Sequence, residues 1–534
     1  MIFLNNRNRQ VYSICLSVCF GGLLSLPWLL PHVGILSLFA FLPLFFSIRN
    51  LVEKGETWLS YFAIIYIGLF TWTICSVWWI ANSTFGGLMI AIFFFPLYMS
   101  IPFLLSRFVM KQLGLLSAYF SFIVFWLSCE YLTLHLDIAW PWLLLGNAFA
   151  RDVLFVQWYE HTGILGGSLW ILLSNGLAFL LLKKNNEQRI FSPLLILFAL
   201  LIVVPIVFSV YRYNSYLFSK KQLETVIVQP NINSYTEKFA GKNVDIQIGK
   251  MLHLADSLIS SQTHLLVLPE TALPNPIIED EIDSSFEIKQ LRNFISKHPR
   301  CAIICGAITE RKYDAKRDGM QNYFSIKHRS GMFVQYNSAL YITNKSMQIY
   351  RKSKLLPGVE TMPFADYIPQ INKLLFNFGG QGGSFGTQTE RTVFRDSLIA
   401  LSSLICYESA FGDFVSQFAN NGAEAIAIIT NDGWWGNTPG YQQHLSFACL
   451  RAIELRRDIA RCANTGISSL INLRGDLITK TNYGVADVIK IQLRPNKELT
   501  FYTLYGDYLG WISLLLSTII LLWIFCRKYF ASLF

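Results

Sequence analysis

Charge is scarce in this chain. Only 15% of its 534 residues are charged, against 53% hydrophobic, a balance that excludes an ordinary soluble enzyme and predicts a membrane protein. No Cys-x-x-Cys and no regular spacing of the ten cysteines occurs, which removes a disulfide-built domain from consideration. Gly-Lys-Ser/Thr is absent too. The glycine-rich stretch FNFGGQGGSFG (376–386) therefore resembles no phosphate loop and reads as a flexible aromatic loop, able to dip into lipid headgroups. No basic stripe with interleaved aromatics is present, so the net charge of +10 does not point to nucleic acid. The apolar runs carry almost no acidic or basic residues apart from Glu130 and Asp137, whereas a transporter needs such groups near the midplane.

What is present is length and apolarity. Crossing a bilayer as a helix takes about 20 mostly apolar residues, and such runs fall near 11–30, 33–49, 58–81, 86–106, 115–135, 163–182, 191–211 and 508–526. The first follows Arg7 and Arg9 but has no small-residue cleavage site, so it counts as a span rather than a signal peptide. With a cytoplasmic N-terminus, Arg7, Arg9, Arg49, Lys54, Arg107, Lys111, Lys183, Lys184, Arg189, Arg527 and Lys528 all lie inside, and the short outer loops keep only Arg151. That asymmetry orients the chain. It predicts a seven-span bundle over 1–211, an extracytoplasmic domain over 212–507, and a last span with a short tail over 508–534. The basic residues then serve topology and contact with anionic headgroups. Trp140 and Trp142, beside the fifth span, fit an interfacial belt.

Within 212–507, short β-rich runs at 223–229, 264–270, 302–309, 338–344, 397–408, 424–431, 467–473 and 488–493 alternate with helical stretches at 245–261, 288–298 and 441–461. Several strands are apolar on both faces, as in sheets held between layers, and the alternation predicts a layered α/β domain. Cys301 and Cys305 read as core residues rather than a bridge. Polar residues gather at strand ends, where sites form in such sheets.

Three of these carry chemistry. Cys406 closes the run IALSSLICYES; alone it reads as a small buried hydrophobe, but a nearby base or cation would make it a nucleophile. Of the outer histidines only His444 has a motif-like setting, so a Cys/His pair is the weaker pairing. Glu270 ends a strand in LPETALP between two prolines and is either an exposed turn acid or, in an apolar surround, a proton acceptor for a thiol. Lys352, in YRKSKLLP, belongs either to a solvated basic face or to the stabilisation of a thiolate and an oxyanion. Trp434 and Trp435 fit an acyl pocket or core packing equally well.

The order Glu, then Tyr-x-Lys-x-x-Leu, then Cys-Tyr-Glu resembles the nitrilase superfamily. PWLLLGNAFA (141–150), VQPNI (228–232), YNSAL (336–340), LLPGVETMPF (355–364), NDGWWG (431–436) and ANTGIS (463–468), with the flanking spans, narrow the resemblance to its apolipoprotein N-acyltransferases. The resemblance implies a four-layer αββα sandwich inserted in a polytopic helical bundle of the bacterial inner membrane, with the catalytic domain in the periplasm. It implies Glu270 as general base, Lys352 as oxyanion stabiliser and Cys406 as nucleophile, with Glu360, Tyr407 and Glu408 in support and neither metal nor cofactor. The implied partners are a phospholipid acyl donor and a diacylglyceryl-modified apolipoprotein acceptor, joined through a cysteine thioester in the last step of lipoprotein maturation. A membrane-tethered amidohydrolase acting on a small amide is the alternative. Two departures stand out: the family's Pro-Phe-Gly-Glu is here Pro357-Gly358-Val359-Glu360, and Tyr235 and Phe239 stand where a tryptophan is expected.

Overall fold

The computed structural model describes residues 6–183, 193–238, 244–314, 325–328, 331–361, 363–364 and 385–531. Phe239 and 376–384, the greater part of the glycine-rich stretch, lie outside the described residues, as do Lys184 and Arg189. The chain divides into two compact units, one of Met1–Ala81, Phe85–Ser215 and Tyr505–Phe534, the other of Asn82–Thr84 and Tyr216–Leu504.

The first unit is helical. Among the described residues eight helices are long and apolar enough to cross a membrane: Gln10–Leu29, Gly34–Glu53, Trp58–Asn82, Phe85–Leu113, Leu115–Thr133, Tyr159–Leu182, Pro193–Ser215 and Tyr508–Arg527. The fourth is broken at Ser100, because Pro102, in the first turn of the second half, has no N–H to bond back across the break. Two of its carboxylates are bound internally. Glu130 accepts hydrogen bonds from Trp126 Nε1 (2.9 Å) and the Leu145 N–H (2.8 Å), so it ties down the loop that follows its own helix. Glu160 pairs with Arg212 at 2.6 Å. Trp142 departs from the belt expected of it: that loop packs inward, and its ring is buried against Trp79 with centroids 5.4 Å apart.

The second unit holds two sheets. Its strands are β1 (Leu223–Gln229), β2 (Leu265–Val267), β3 (Leu273–Ile278), β4 (Ala302–Lys312), β5 (Ser325–His328), β6 (Gly331–Ile342), β7 (Met347–Arg351), β8 (Phe394–Arg395), β9 (Ala400–Ile405), β10 (Ala425–Thr430), β11 (Ile459–Ala463), β12 (Ser469–Ile471), β13 (Leu477–Lys480) and β14 (Asp487–Leu493). One sheet runs β14-β1-β2-β4-β6-β5, with β3 paired to β4 and β7 to β6; the other runs β13-β12-β11-β10-β9-β8. β1 packs on β11, β4 on β10 and β6 on β9, which stacks the sheets face to face. Both inner and outer faces must be apolar for this, and β9, β10 and β11 are buried at every position.

Helices Val244–Asp256 and Phe286–Lys297 cover the outer face of the first sheet, burying Ile248, Met251, Leu291 and Ile295 against strand residues such as Val226, Leu266 and Ile303. Gly412–Asn420 and Pro439–Leu455 cover the second, completing a four-layer αββα sandwich. Cys301 and Cys305 are free thiols in the first core. The helical run at 441–461 is shorter than its sequence suggests. It stops at Leu455, Arg456 takes a left-handed cap (φ +50°), and Ile459–Ala463 joins the second sheet between β10 and β12.

Candidate active site

β9 delivers Cys406. Directly after Ile405 the chain enters a short 3-10 turn, Cys406–Ala410, and Cys406 itself has φ +52°. A non-glycine residue held there costs about 1–3 kcal/mol and persists only where its surroundings impose it. Glu408 supplies part of that constraint. Its fully buried carboxylate accepts from the Ile405 N–H (2.8 Å) on one oxygen, and from the Tyr350 hydroxyl (2.5 Å), the Ser353 N–H (2.7 Å) and the Lys354 N–H (3.3 Å) on the other. One side chain therefore joins the Cys406 turn to the segment carrying Lys352. Cys406 remains only half-buried.

Glu270 stands just beyond β2, in a turn whose next residue, Thr271, also has positive φ (+46°). Gly306 of β4 presses against this turn: a Cβ at 306 would lie 2.3 Å from the Thr271 nitrogen and 2.6 Å from Glu270 Cα, which no side chain tolerates. Lys238, almost wholly buried, donates to the backbone carbonyl of Glu270 at 2.7 Å. The Glu270 side chain accepts from Asn337 Nδ2 (2.9 Å) and lies 3.4 Å from Lys352 Nζ.

Lys352 leaves β7 with its N–H donating to the Asn337 carbonyl (2.8 Å) and its ammonium donating to Glu360 Oε1 at 2.8 Å. Asn337 Nδ2 reaches that same oxygen at 3.0 Å. Glu360 is fixed by a tight turn in which its own N–H donates to the Leu356 carbonyl (2.9 Å) while Leu356 N–H donates to its carboxylate (2.8 Å). The displaced glycine of this loop serves the turn where it stands, since Gly358 adopts φ +78° and donates to Thr361 O at 2.8 Å. Lys352 is thus held between two carboxylates. Its neighbours take other roles: Arg351 pairs with Glu279 and Lys354 lies 5.2 Å over the Phe411 ring.

Burial sets the electrostatics and the charges modulate it. Burial pushes the Cys406 thiol well above its ordinary pKa, the Glu270 charge adds to this, and Lys352 and a hydrogen bond with Thr430 oppose it. Burial alone would lower Lys352, yet Glu360, Glu270 and Cys406 together raise it, so its ammonium stays charged. Lys238 goes the other way, pulled down to about 8 by burial against the attraction of Glu270, Cys462 and Cys406. Burial also raises Glu408 and Tyr407, whose ring packs edge-on against Phe411.

The structure therefore brings Glu270, Lys352 and Glu360 into contact, with Cys406 within their electrostatic reach. His444 meets Cys406 at its backbone carbonyl, 3.1 Å from Nε2. Other strand-end polar residues serve elsewhere: Gln229 Oε1 accepts from Ser468 and Thr481, and Thr309 bonds with Ser338 and Glu279. Asn337 and Lys238 join the cluster without having been singled out from the sequence, although Asn337 lies in the YNSAL motif. A thiol, a carboxylate and an ammonium so arranged can take up an acyl group covalently and stabilise the oxyanion formed on the way.

Comparison with known proteins follows the same division of the chain. Residues 20–177 match the family model described as apolipoprotein N-acyltransferase N-terminal domain, and residues 227–497 match the carbon-nitrogen hydrolase model. Three similar proteins, each named apolipoprotein N-acyltransferase, run along most of the sequence. That of Chlorobaculum tepidum is 26% identical over 511 residues, covering 94% of both chains. That of Geobacter metallireducens is 25% identical, covering 96% of this chain and 95% of its own. That of Rickettsia typhi is 28% identical, covering 88% and 86%. With one model spanning nearly all of the two-sheet sandwich and a second lying in the helical unit, the chain belongs to the carbon-nitrogen hydrolase superfamily and, within it, to the apolipoprotein N-acyltransferase family.

Proposed function

We propose that this protein transfers a fatty acyl chain from a phospholipid to the N-terminal α-amine of a diacylglyceryl-cysteine on an apolipoprotein, through a thioester on Cys406. The observation that carries the reading is Lys352, an ammonium held between Glu270 and Glu360 beside a cysteine in a left-handed turn. In the first half-reaction the Cys406 proton passes to Glu270 as the sulfur attacks the ester carbonyl. A thiol held protonated by burial needs that base at the moment of attack. Lys352 and the Tyr407 N–H stabilise the oxyanion, the ester C–O bond breaks, and Glu270 returns its proton to the departing lysophospholipid. In the second, the α-amine attacks the thioester, its proton goes to Glu270, the C–S bond breaks and the sulfur regains a proton. Glu360 holds Lys352 in place throughout, and Glu408 holds the Cys406 turn against it.

The distribution of Lys and Arg among the apolar runs supports a periplasmic position for 212–507, with 1–211 and 508–534 keeping it at the bacterial inner membrane beside substrates that are themselves lipid-anchored. Full-length protein incubated with phospholipid should show an acyl adduct on Cys406 by mass spectrometry, lost in Cys406→Ala and discharged by a diacylated lipopeptide. Absence of the adduct in folded protein would sink the thioester route. Turnover of a small amide by water, with the lipopeptide inert, would favour the amidohydrolase instead.

A further inference from the structure

A second group of buried charges adjoins Cys406, and the reaction above makes no use of it. Asp432, at the end of β10, is fully buried, as are His444 and Arg461. One Asp432 oxygen accepts from Arg461 Nη2 at 2.6 Å; the other lies 3.0 Å from His444 Nδ1 and accepts from the Thr430 hydroxyl at 2.9 Å. Arg461 is itself anchored, donating to Ile467 O at 2.5 Å. Burial opposes the charge on Asp432, but Arg461 and His444 hold its carboxyl far below the usual range.

Both arms of this group end on Cys406. His444 Nε2 is 3.1 Å from the Cys406 carbonyl and 3.0 Å from Ser409 Oγ, and Ser409 donates to that same carbonyl at 2.8 Å. Thr430, whose hydroxyl donates to Asp432, is also in hydrogen-bond contact with the Cys406 thiol. Burying three ionisable side chains is expensive and is poor evidence of a stabilising purpose, since an apolar replacement often serves stability as well. A residue with φ +52° on a reacting sulfur, however, has to be held there from outside.

We propose that His444, fixed by Asp432 and Arg461, is a positioning residue for the nucleophile. It pins the Cys406 carbonyl and with it the left-handed turn, while Thr430, oriented by the same carboxylate, sets the direction of the sulfur. His444 acts on the backbone of the cysteine and takes no proton from its thiol. The inference rests on the reading of Cys406 as the acyl-accepting residue.

The test measures formation of the Cys406 acyl adduct in full-length protein as a function of phospholipid concentration, alongside melting temperature. His444→Ala should slow acylation about 10- to 100-fold at saturating phospholipid, leave the half-saturating concentration within about twofold, and remain folded; this is the size of effect that small misplacement of a reacting group produces. His444→Gln, which keeps a donor for the Cys406 carbonyl, should recover most of the rate. Thr430→Val, nearly isosteric, should slow acylation about tenfold with half-saturation again unchanged, and it decides the matter if His444→Ala does not fold. Wild-type rates in folded His444→Ala or in Thr430→Val, a defect confined to half-saturation, or failure of glutamine to restore the rate would each overturn the proposal. Lack of any adduct in the wild-type protein would instead overturn the reading of Cys406 itself.

Discussion

Two buried charge clusters adjoin Cys406, and they are built on different terms. The Glu270–Lys352–Glu360 cluster has two carboxylates to one ammonium, and its side chains keep a little solvent contact, 9%, 2% and 12% exposed. The Asp432–His444–Arg461 cluster has one carboxylate to an imidazole and a guanidinium, all at 0%. The first spans three separate segments, from the ends of β2 and β7 and the loop bearing Glu360; the second hangs on neighbouring parts of one sheet and the helix covering it. Groups that must meet a substrate and exchange protons need some opening to it, and groups that only hold a backbone in place are best sealed from water, where their hydrogen bonds are strongest.

The largest effect should come from removing charge on the open side. Glu270→Gln should cut acylation of Cys406 by about 10²- to 10⁴-fold. Because the Glu270 charge holds the thiol up, the same change should lower the thiol pKa and speed alkylation by iodoacetamide at a fixed pH. Parallel loss of both rates would contradict a base role. On the sealed side, Asp432→Asn leaves Arg461 without its anion and should cost about 3–5 kcal/mol of stability, read as a lower denaturation midpoint.

Lys238 gives a pH signature. With its pKa lowered to about 8 from 10.5, the unfolded chain binds the extra proton between those values, so stability should rise as pH climbs through that window, by on the order of 3 kcal/mol. Lys238→Met should abolish the rise, as denaturant titrations at pH 8 and pH 10.5 would reveal. Glu408→Gln should cost about 1–3 kcal/mol by leaving a buried N–H short of its acceptor. Replacing Arg292, whose partner Asp283 is mostly exposed, should change stability by less than about 1 kcal/mol and leave acylation untouched.

Much of the sandwich is legible in the sequence because its strands are apolar on both faces and bounded by polar ends; β1 and β14 lie where their patterns put them. The helix over 441–461 misleads because Arg456, Arg457 and Asp458 contain no glycine or proline to mark its end. Arg456 nevertheless turns left-handed, as its guanidinium donates to the distant Leu473 carbonyl at 3.1 Å. At the site, Glu270, Lys352, Glu360 and Cys406 each stand in a distinct local motif, so proximity in space is the only thing left to discover. Lys238 has no such mark, and Asn337 stands in YNSAL with nothing to single it out there. Their significance arises from contacts made 32 and 67 residues away in the chain. His444 draws notice as a partner for a thiol, but the atom it meets is a main-chain oxygen, which every residue possesses and no composition reveals.

Gly306 carries a consequence for heritable variation. Nothing at that position reacts, binds or carries charge, yet even a methyl group there would collide with the backbone of Glu270 and Thr271. A substitution from glycine to alanine, ordinarily among the mildest a gene can acquire, would at this codon act on the turn that aims the carboxylate. In a survey of natural or laboratory variants, position 306 belongs with the acids and the thiol among the least forgiving, and a loss of activity traced to it would be a lesion of geometry with every reactive atom still present.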